Sequence, residues 1–382
     1  MKKLFFLLFL LWFSLSFASQ AFAIENPLSS PNNKVGIHIL FTSELDDAAK
    51  LVNSNGGDWG YVTIPIQAGD KDLEKWQAFM DTCRSLHLIP IIRLATEGDY
   101  FNTQVWRKPD ERDVLDFANF LNSLTWPTKN RYVIVFNEVN RGNEYGGTPS
   151  PSDYAQLLSY AVTVFKSRSP DFFIISAGLD NAAANTSETM NEYSFLQSMN
   201  SAVPGIFNQV DGLGSHSYPN PAFSQPPSIH TNESITSFLY ERSFVSQFTS
   251  KTLPTFITET GWSDGAIDST SIASYYQQAF SSVWNDPNVV AVTPFLLTAG
   301  AGPFADFSFL QPDGSPSAMY ASLLSIPKIQ GKPTVTQSVL SATVNDIHLP
   351  IERFALAPTP PAISSYITQS MKVVAKWLLG MY

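Results

Sequence analysis

The chain has 382 residues, of which 44% are hydrophobic and 15% charged. That balance excludes a disordered or collagen-like polymer and is enough to bury one large core. A formal net charge of −10 without a cluster of Lys and Arg excludes a nucleic-acid partner, because phosphate binding needs a basic stripe; an uncharged or cationic ligand fits better.

Residues 1–23 read as an export signal. Lys2-Lys3 supplies a positive start, Leu4 to Phe17 an apolar run, and Ala21-Phe22-Ala23 a small-x-small cleavage site before Ile24. The competing reading is an uncleaved anchor, since the apolar stretch is long enough to cross a hydrocarbon layer of about 30 Å. Both place the remainder outside the cytoplasm, secreted or extracytoplasmic.

From residue 34 to 327 short β-branched or aromatic runs alternate with helical patterns. The runs are Val35 to Leu40, Gly60 to Pro65, Ile89 to Leu94, Tyr132 to Asn137, Phe172 to Ala177, Gly212 to His216, Thr255 to Thr258 and Val289 to Leu296. Helices are expected over Leu45 to Asn53, Asp72 to Leu86, Asp110 to Leu124, Pro151 to Arg168, Ile235 to Thr249 and Ser271 to Asn285, several opened by Pro or an acidic residue. Eight such units predict an α/β fold, a (β/α)8 barrel. The rival, a doubly wound open sheet, would carry a Gly-rich phosphate loop after its first strand, where Ile39 to Ser43 has none. Cys83 is the only cysteine, so no intrachain disulfide or thiolate cluster can form, and its amphipathic surroundings predict a buried position.

Residues 328–361 form an extension ending in the stiff Ala357-Pro358-Thr359-Pro360-Pro361 linker. Residues 362–382 form an amphipathic helix, with Ile363, Ile367, Met371, Val374 and Leu378 on one stripe. Two partners suit the segment from Ile363 to Tyr382: a protein surface, its own barrel or another chain, and the surface of a membrane.

Active sites of such barrels sit at the C-terminal ends of the strands. There the sequence places two acids: Glu138 in Val135-Phe136-Asn137-Glu138-Val139-Asn140, and Glu259 in Phe256-Ile257-Thr258-Glu259-Thr260-Gly261-Trp262. A carboxyl pair is the minimal equipment for splitting a glycosidic bond. Arg93 ends the third run, and His38 on the first is read either as lining the same mouth or as a satisfied core histidine. Trp262 and Trp106, with Trp59, Tyr145 and Phe304, are candidate platforms for sugar faces. The five histidines are scattered, with no metal-ligand spacing, so neither metal nor cofactor is expected.

Asn137-Glu138 after the fourth run and Thr258-Glu259-Thr260-Gly261-Trp262 at the seventh resemble the motifs of clan A, the retaining (β/α)8 glycoside hydrolases. The resemblance implies Glu138 as acid/base, kept protonated by apolar walls and its neighbouring carboxylate, and Glu259 as nucleophile. It implies Asn137 against the sugar 2-hydroxyl, and His216-Ser217-Tyr218 as the clan's His-x-Tyr arrangement with the tyrosine orienting Glu259. Some clan members keep an arginine beside the nucleophile, a role open to Arg93. Val139 stands where many members have proline, and Phe295 in the eighth run where the clan has tryptophan. The Glu-Thr-Gly-Trp stretch is also similar to that of plant-type β-1,3-glucanases.

The function implied is hydrolysis of a β-linked oligo- or polysaccharide with retention, which predicts carboxyl groups about 5 to 5.5 Å apart rather than near 9 Å. Transglycosylation through the same intermediate, a non-catalytic carbohydrate-binding barrel and a metal-dependent barrel enzyme are the alternatives.

Overall fold

The computed structural model describes residues 24–96, 104–299, 302 and 304–336. The export signal, the Pro-rich linker and the C-terminal helix expected from the sequence lie outside the described residues.

Eight parallel strands alternate with helices. The order is β1 Gly36–His38, α1 Leu45–Val52, β2 Gly60–Gln67, α2 Leu73–Ser85, β3 Leu88–Ala95, α3 Glu111–Ser123, β4 Arg131–Ile134 and α4 Pro151–Arg168. It continues with β5 Phe172–Ile175, α5 Glu192–Ala202, the short α6 Ile206–Gln209, β6 Leu213–His216, α7 Ser237–Val245, β7 Thr255–Glu259, α8 Ser269–Ser281, β8 Val289–Val292 and α9 Ala318–Ser325. Strands β1 to β5 form one ladder and β6 to β8 another. Parallel bridges from Ile175 to Gly212 and from Val35 to Val292 join the two, closing the sheet into a (β/α)8 barrel.

Alternation along each strand builds two cores. Tyr61, Ile89, Ile91, Tyr132, Ile134, Phe173, Ile175 and Phe256 point inward and fill the barrel. Val62, Ile64, Ile92, Val133, Ile174 and Ile257 point outward and join Trp76, Phe117, Phe165 and Trp284 from the helical layer. Cys83 lies in that outer core, fully buried. Helices start where a side-chain oxygen meets the free amides of the first turn: Asp72 accepts from Lys75 N, Asp110 from Arg112 N and Asp113 N, and Asp268 from Thr270 N and Ser271 N.

Several expected boundaries shift. Helix α5 had no counterpart in the sequence reading; Asn191 caps it, and it buries Phe195, Leu196 and Met199. The fourth strand ends at Ile134 and the eighth at Val292, so Asn137 and Phe295 stand in the loops beyond. Residues flanking the 34–327 span also belong to the barrel body. Ile24 and Leu28 pack on the inner core, while Gln330 bridges Asp58 and Val335 bridges Thr128.

Candidate active site

The site forms where inward positions of the strands run out of hydrophobic layers. On β3 the inward series Ile89, Ile91 is followed by Arg93. Beyond β4 the backbone tightens: Phe136 (φ 68°) and Glu138 (φ 35°) both adopt the left-handed region, at a cost of order 1–3 kcal/mol each. The surroundings hold them there. Val135 N donates to Ile175 O and Glu138 N to Gly178 O, and buried Asn140 clamps the next loop by donating to Asp180 O and Met190 O.

On β6 the register slips between Ser215 and His216, bringing His216 opposite Glu259. Its ring fits because residue 178 is glycine, where an added Cβ would sit 2.1 Å from His216 Cδ2.

The two acids meet as a pair. One carboxylate oxygen of Glu138, one of Glu259 and a ring nitrogen of His216 all lie within 4.8 Å of one another. Arg93 Nη1 donates to Glu259 Oε1 at 2.6 Å and to Asn137 Oδ1 at 2.6 Å, and Tyr218 OH donates to Glu259 Oε2 at 3.1 Å. His38 Nε2 lies 3.7 Å from Glu259 Oε1. Around Glu138 the partners are His216 Nδ1 at 3.0 Å from Oε1 and Arg141 Nη1 at 3.7 Å from Oε2. The apolar walls expected there are thus replaced by an imidazole and a guanidinium.

Electrostatics separate the two histidines. Burial pulls His216 down, but the Glu259 and Glu138 carboxylates outweigh it and leave it above the ordinary imidazole value. His38 falls well below that value, through burial and then the repulsion of Arg93 and His216. A third carboxyl, Glu144, is pushed up to about 7 by burial and by the charge of Glu138. Burial and Glu138 also raise Asp180.

Glu138, Glu259 and His216 are ligand types that a divalent ion accepts. Arg93, in contact with Glu259, already supplies the positive charge such an ion would bring, which argues against that use of the trio.

A cleft of about 300 Å³, open to solvent, surrounds the pair. Leu40, Phe223, Phe295, Phe304 and Phe307 line it along with Tyr218; Arg141, Glu144 and Asp180 line it along with Glu138, Asn137 and Trp106. Of the residues singled out in the sequence, Glu138, Glu259, Asn137, Arg93, Tyr218, Trp106, Phe295 and Phe304 line this cleft.

Others need correction. Trp262 is fully buried, donates Nε1 to Gln225 O, and packs on Tyr275, Tyr276 and Trp284; it points into the helical layer and offers no platform. Tyr145 is buried against Tyr154. Trp59 precedes β2, at the N-terminal end of the barrel, and stacks on His87. His38 and His216 are buried too deeply to line the cleft, so they touch the carboxylates rather than a sugar. Arg141, Glu144, Asp180, Phe223 and Phe307 escaped the sequence reading. Only Arg141, three residues past Glu138, had a local signal.

No family model matches this sequence, and no curated protein does either. Solved structures share the fold. A family 39 glycoside hydrolase from Bacteroides cellulosilyticus WH2 is 16% identical (TM-score 0.55), over 79% of this chain and 64% of that one. A family 39 β-xylosidase from Caulobacter crescentus is 15% identical (TM-score 0.54), over 77% and 71%. A family 128 (subgroup II) endo-β-1,3-glucanase from Sorangium cellulosum is 17% identical (TM-score 0.50), over 78% and 98%. The chain therefore spans a little under two thirds of the first of these and nearly all of the third. In architecture it is a (β/α)8 barrel similar to the glycoside hydrolases of clan A, with no one family among them singled out.

Proposed function

We propose that the protein is a retaining glycoside hydrolase acting on a β-linked oligo- or polysaccharide, with Glu138 as acid/base and Glu259 as nucleophile. The observation that carries this reading is the pair itself: at the C-terminal mouth of the barrel one oxygen of each carboxylate and a ring nitrogen of His216 gather within 4.8 Å of one another, an approach that favours the narrow carboxyl spacing of a retaining enzyme over the wide one of an inverting enzyme. Similar barrels include a β-xylosidase and an endo-β-1,3-glucanase, which supports the choice of a β-linkage.

In the first step a Glu259 oxygen bonds to the anomeric carbon as the bond to the glycosidic oxygen breaks, and Glu138 gives its proton to that oxygen. Arg93 and Tyr218 hold the attacking carboxylate from two sides, fixing its direction. His216 braces Glu138, within reach of both carboxylates. In the second step Glu138 takes a proton from water, the water oxygen bonds to the anomeric carbon, and the ester to Glu259 breaks. The two inversions sum to retention.

Export through residues 1–23 belongs to the same proposal and rests on the Lys2-Lys3, apolar-run and Ala-x-Ala pattern. The test is proton NMR of a reacting β-glycoside. The β-anomer forming first supports the mechanism; the α-anomer forming first refutes it, as does undiminished turnover by Glu259→Gln.

A further inference from the structure

Six charged residues line the cleft among those described: Arg93, Glu138, Arg141, Glu144, Asp180 and Glu259. Both cations are engaged. Arg93 is held by Glu259 and Asn137, and Arg141 lies 3.1 Å from Asp180 Oδ2 and 3.7 Å from Glu138. The basic residues next to Trp106 are committed as well, Arg107 to Asp113 and Lys108 to Asp153. Glu144 is different. Among the described residues no cation forms a close ion pair with it, Arg93 and Arg141 acting on it only at longer range, and one hydrogen bond, from Asn137 Nδ2 at 3.2 Å, reaches its Oε2.

The chain goes to some length to place it. Glu144 ends a single tight turn, Gly142–Glu144, which folds back so closely that a Cβ on Gly142 would lie 2.4 Å from Gly147 O. The same loop pins Trp106 on either side of Glu144: Trp106 N donates to Asn143 O, and Gly146 N donates to Trp106 O. An indole ring and a carboxylate therefore line one stretch of cleft beside Asn137, whose amide is fixed at both ends by Arg93 and Glu144.

We propose that Glu144 is a third functional carboxyl of the cleft: it orients Asn137, accepts hydroxyl or ammonium protons from the sugar, and turns away sugars carrying a carboxylate. The inference rests on the glycosidase reading and adds the substrate class, neutral or cationic rather than uronate. Once Glu144 is ionised, above a pH of about 7, a uronate would meet it with no uncommitted cation among the described residues to receive it, and repulsion between like charges is what excludes the wrong ligand.

The test compares wild type, Glu144→Ala and Glu144→Gln on p-nitrophenyl β-glycosides, using the neutral glycoside turned over fastest, with Glu259→Gln as control. Glucose, glucosamine and glucuronate serve as inhibitors. Glu144→Ala is expected to raise KM about tenfold to a hundredfold, as loss of a hydrogen bond to a charged acceptor does, with a smaller change in kcat. Glu144→Gln, which can still accept from Asn137, is expected to recover part of that loss and to bind glucuronate more tightly than wild type does. Unchanged KM in Glu144→Ala, or wild-type inhibition by glucuronate at the same concentrations as glucosamine, overturns the inference while an inactive Glu259→Gln leaves the glycosidase reading standing. Should no glycoside turn over, that failure falls on the glycosidase reading. Calorimetric binding of glucosamine and glucuronate to wild type and Glu144→Gln then decides the role of Glu144: tighter glucosamine supports it, and equal affinities refute it.

Discussion

Arg93 on β3 and Glu259 on β7 meet across the barrel, Nη1 to Oε1 at 2.6 Å, with both side chains nine-tenths buried. Removing one member of a buried pair leaves the other charge uncompensated and costs roughly 3–5 kcal/mol. Arg93→Ala should therefore lower both the melting temperature and kcat. Arg93→Lys keeps the charge but not the planar group that reaches Glu259 and Asn137 together, and should restore stability more than rate. Thermal melts beside initial rates check this; equal recovery of both would mean that Arg93 acts through its charge alone.

Tyr218 supplies the second hold on Glu259, through one hydroxyl. Tyr218→Phe removes that donor and little else, since the ring stays packed on Phe223 and Phe307. A hydrogen bond to a charged group is worth about 1.5–3 kcal/mol. Steady-state kinetics should accordingly show kcat/KM down about tenfold to a hundredfold, with the melting temperature nearly unchanged.

The two tryptophans should separate stability from binding. Trp262→Ala empties a site in the helical layer and should destabilise the fold by about 3–5 kcal/mol, read from denaturant unfolding. Trp106→Ala should leave that midpoint in place and raise KM. Reversed behaviour of the pair would return Trp262 to the cleft.

Away from the cleft, Glu241 is buried where it accepts from Ser215 Oγ and Ser237 Oγ. Burial pushes its carboxyl up to about 7, and burial together with Glu241 raises Glu192. A raised carboxyl binds more protons in the folded state than in the unfolded one. Its contribution is thus full below the unfolded value and is lost as pH rises through about 7. Glu144 acts in the same direction. Melting temperatures should fall between pH 5 and pH 8, and Glu241→Gln should flatten part of that slope. An identical slope in the variant would remove Glu241 as its source.

Much of this molecule is decided by period and position along the chain. Alternation of side chains with a period of two sorted Ile91 from Ile92 and put Arg93 on the inner face; Asp110 as a cap and Pro151 as a first helical residue mark where helices begin. Because barrel sites lie at strand C-termini, the same reading brought Glu138 and Glu259 to one mouth, and the resemblance to clan A added Asn137 and Tyr218. Direction beyond a strand end is another matter. Trp262 lies three residues past Glu259, where alternation has lapsed, and only the packing of Tyr275, Tyr276 and Trp284 decides that it turns outward. Glu144 is likewise one polar letter in a loop until the Gly142 turn folds it against Asn137. Local pattern determines which face a regular element presents, because its geometry repeats. The reach of a loop side chain is determined by contacts far apart in sequence, and those exist only once the barrel has closed.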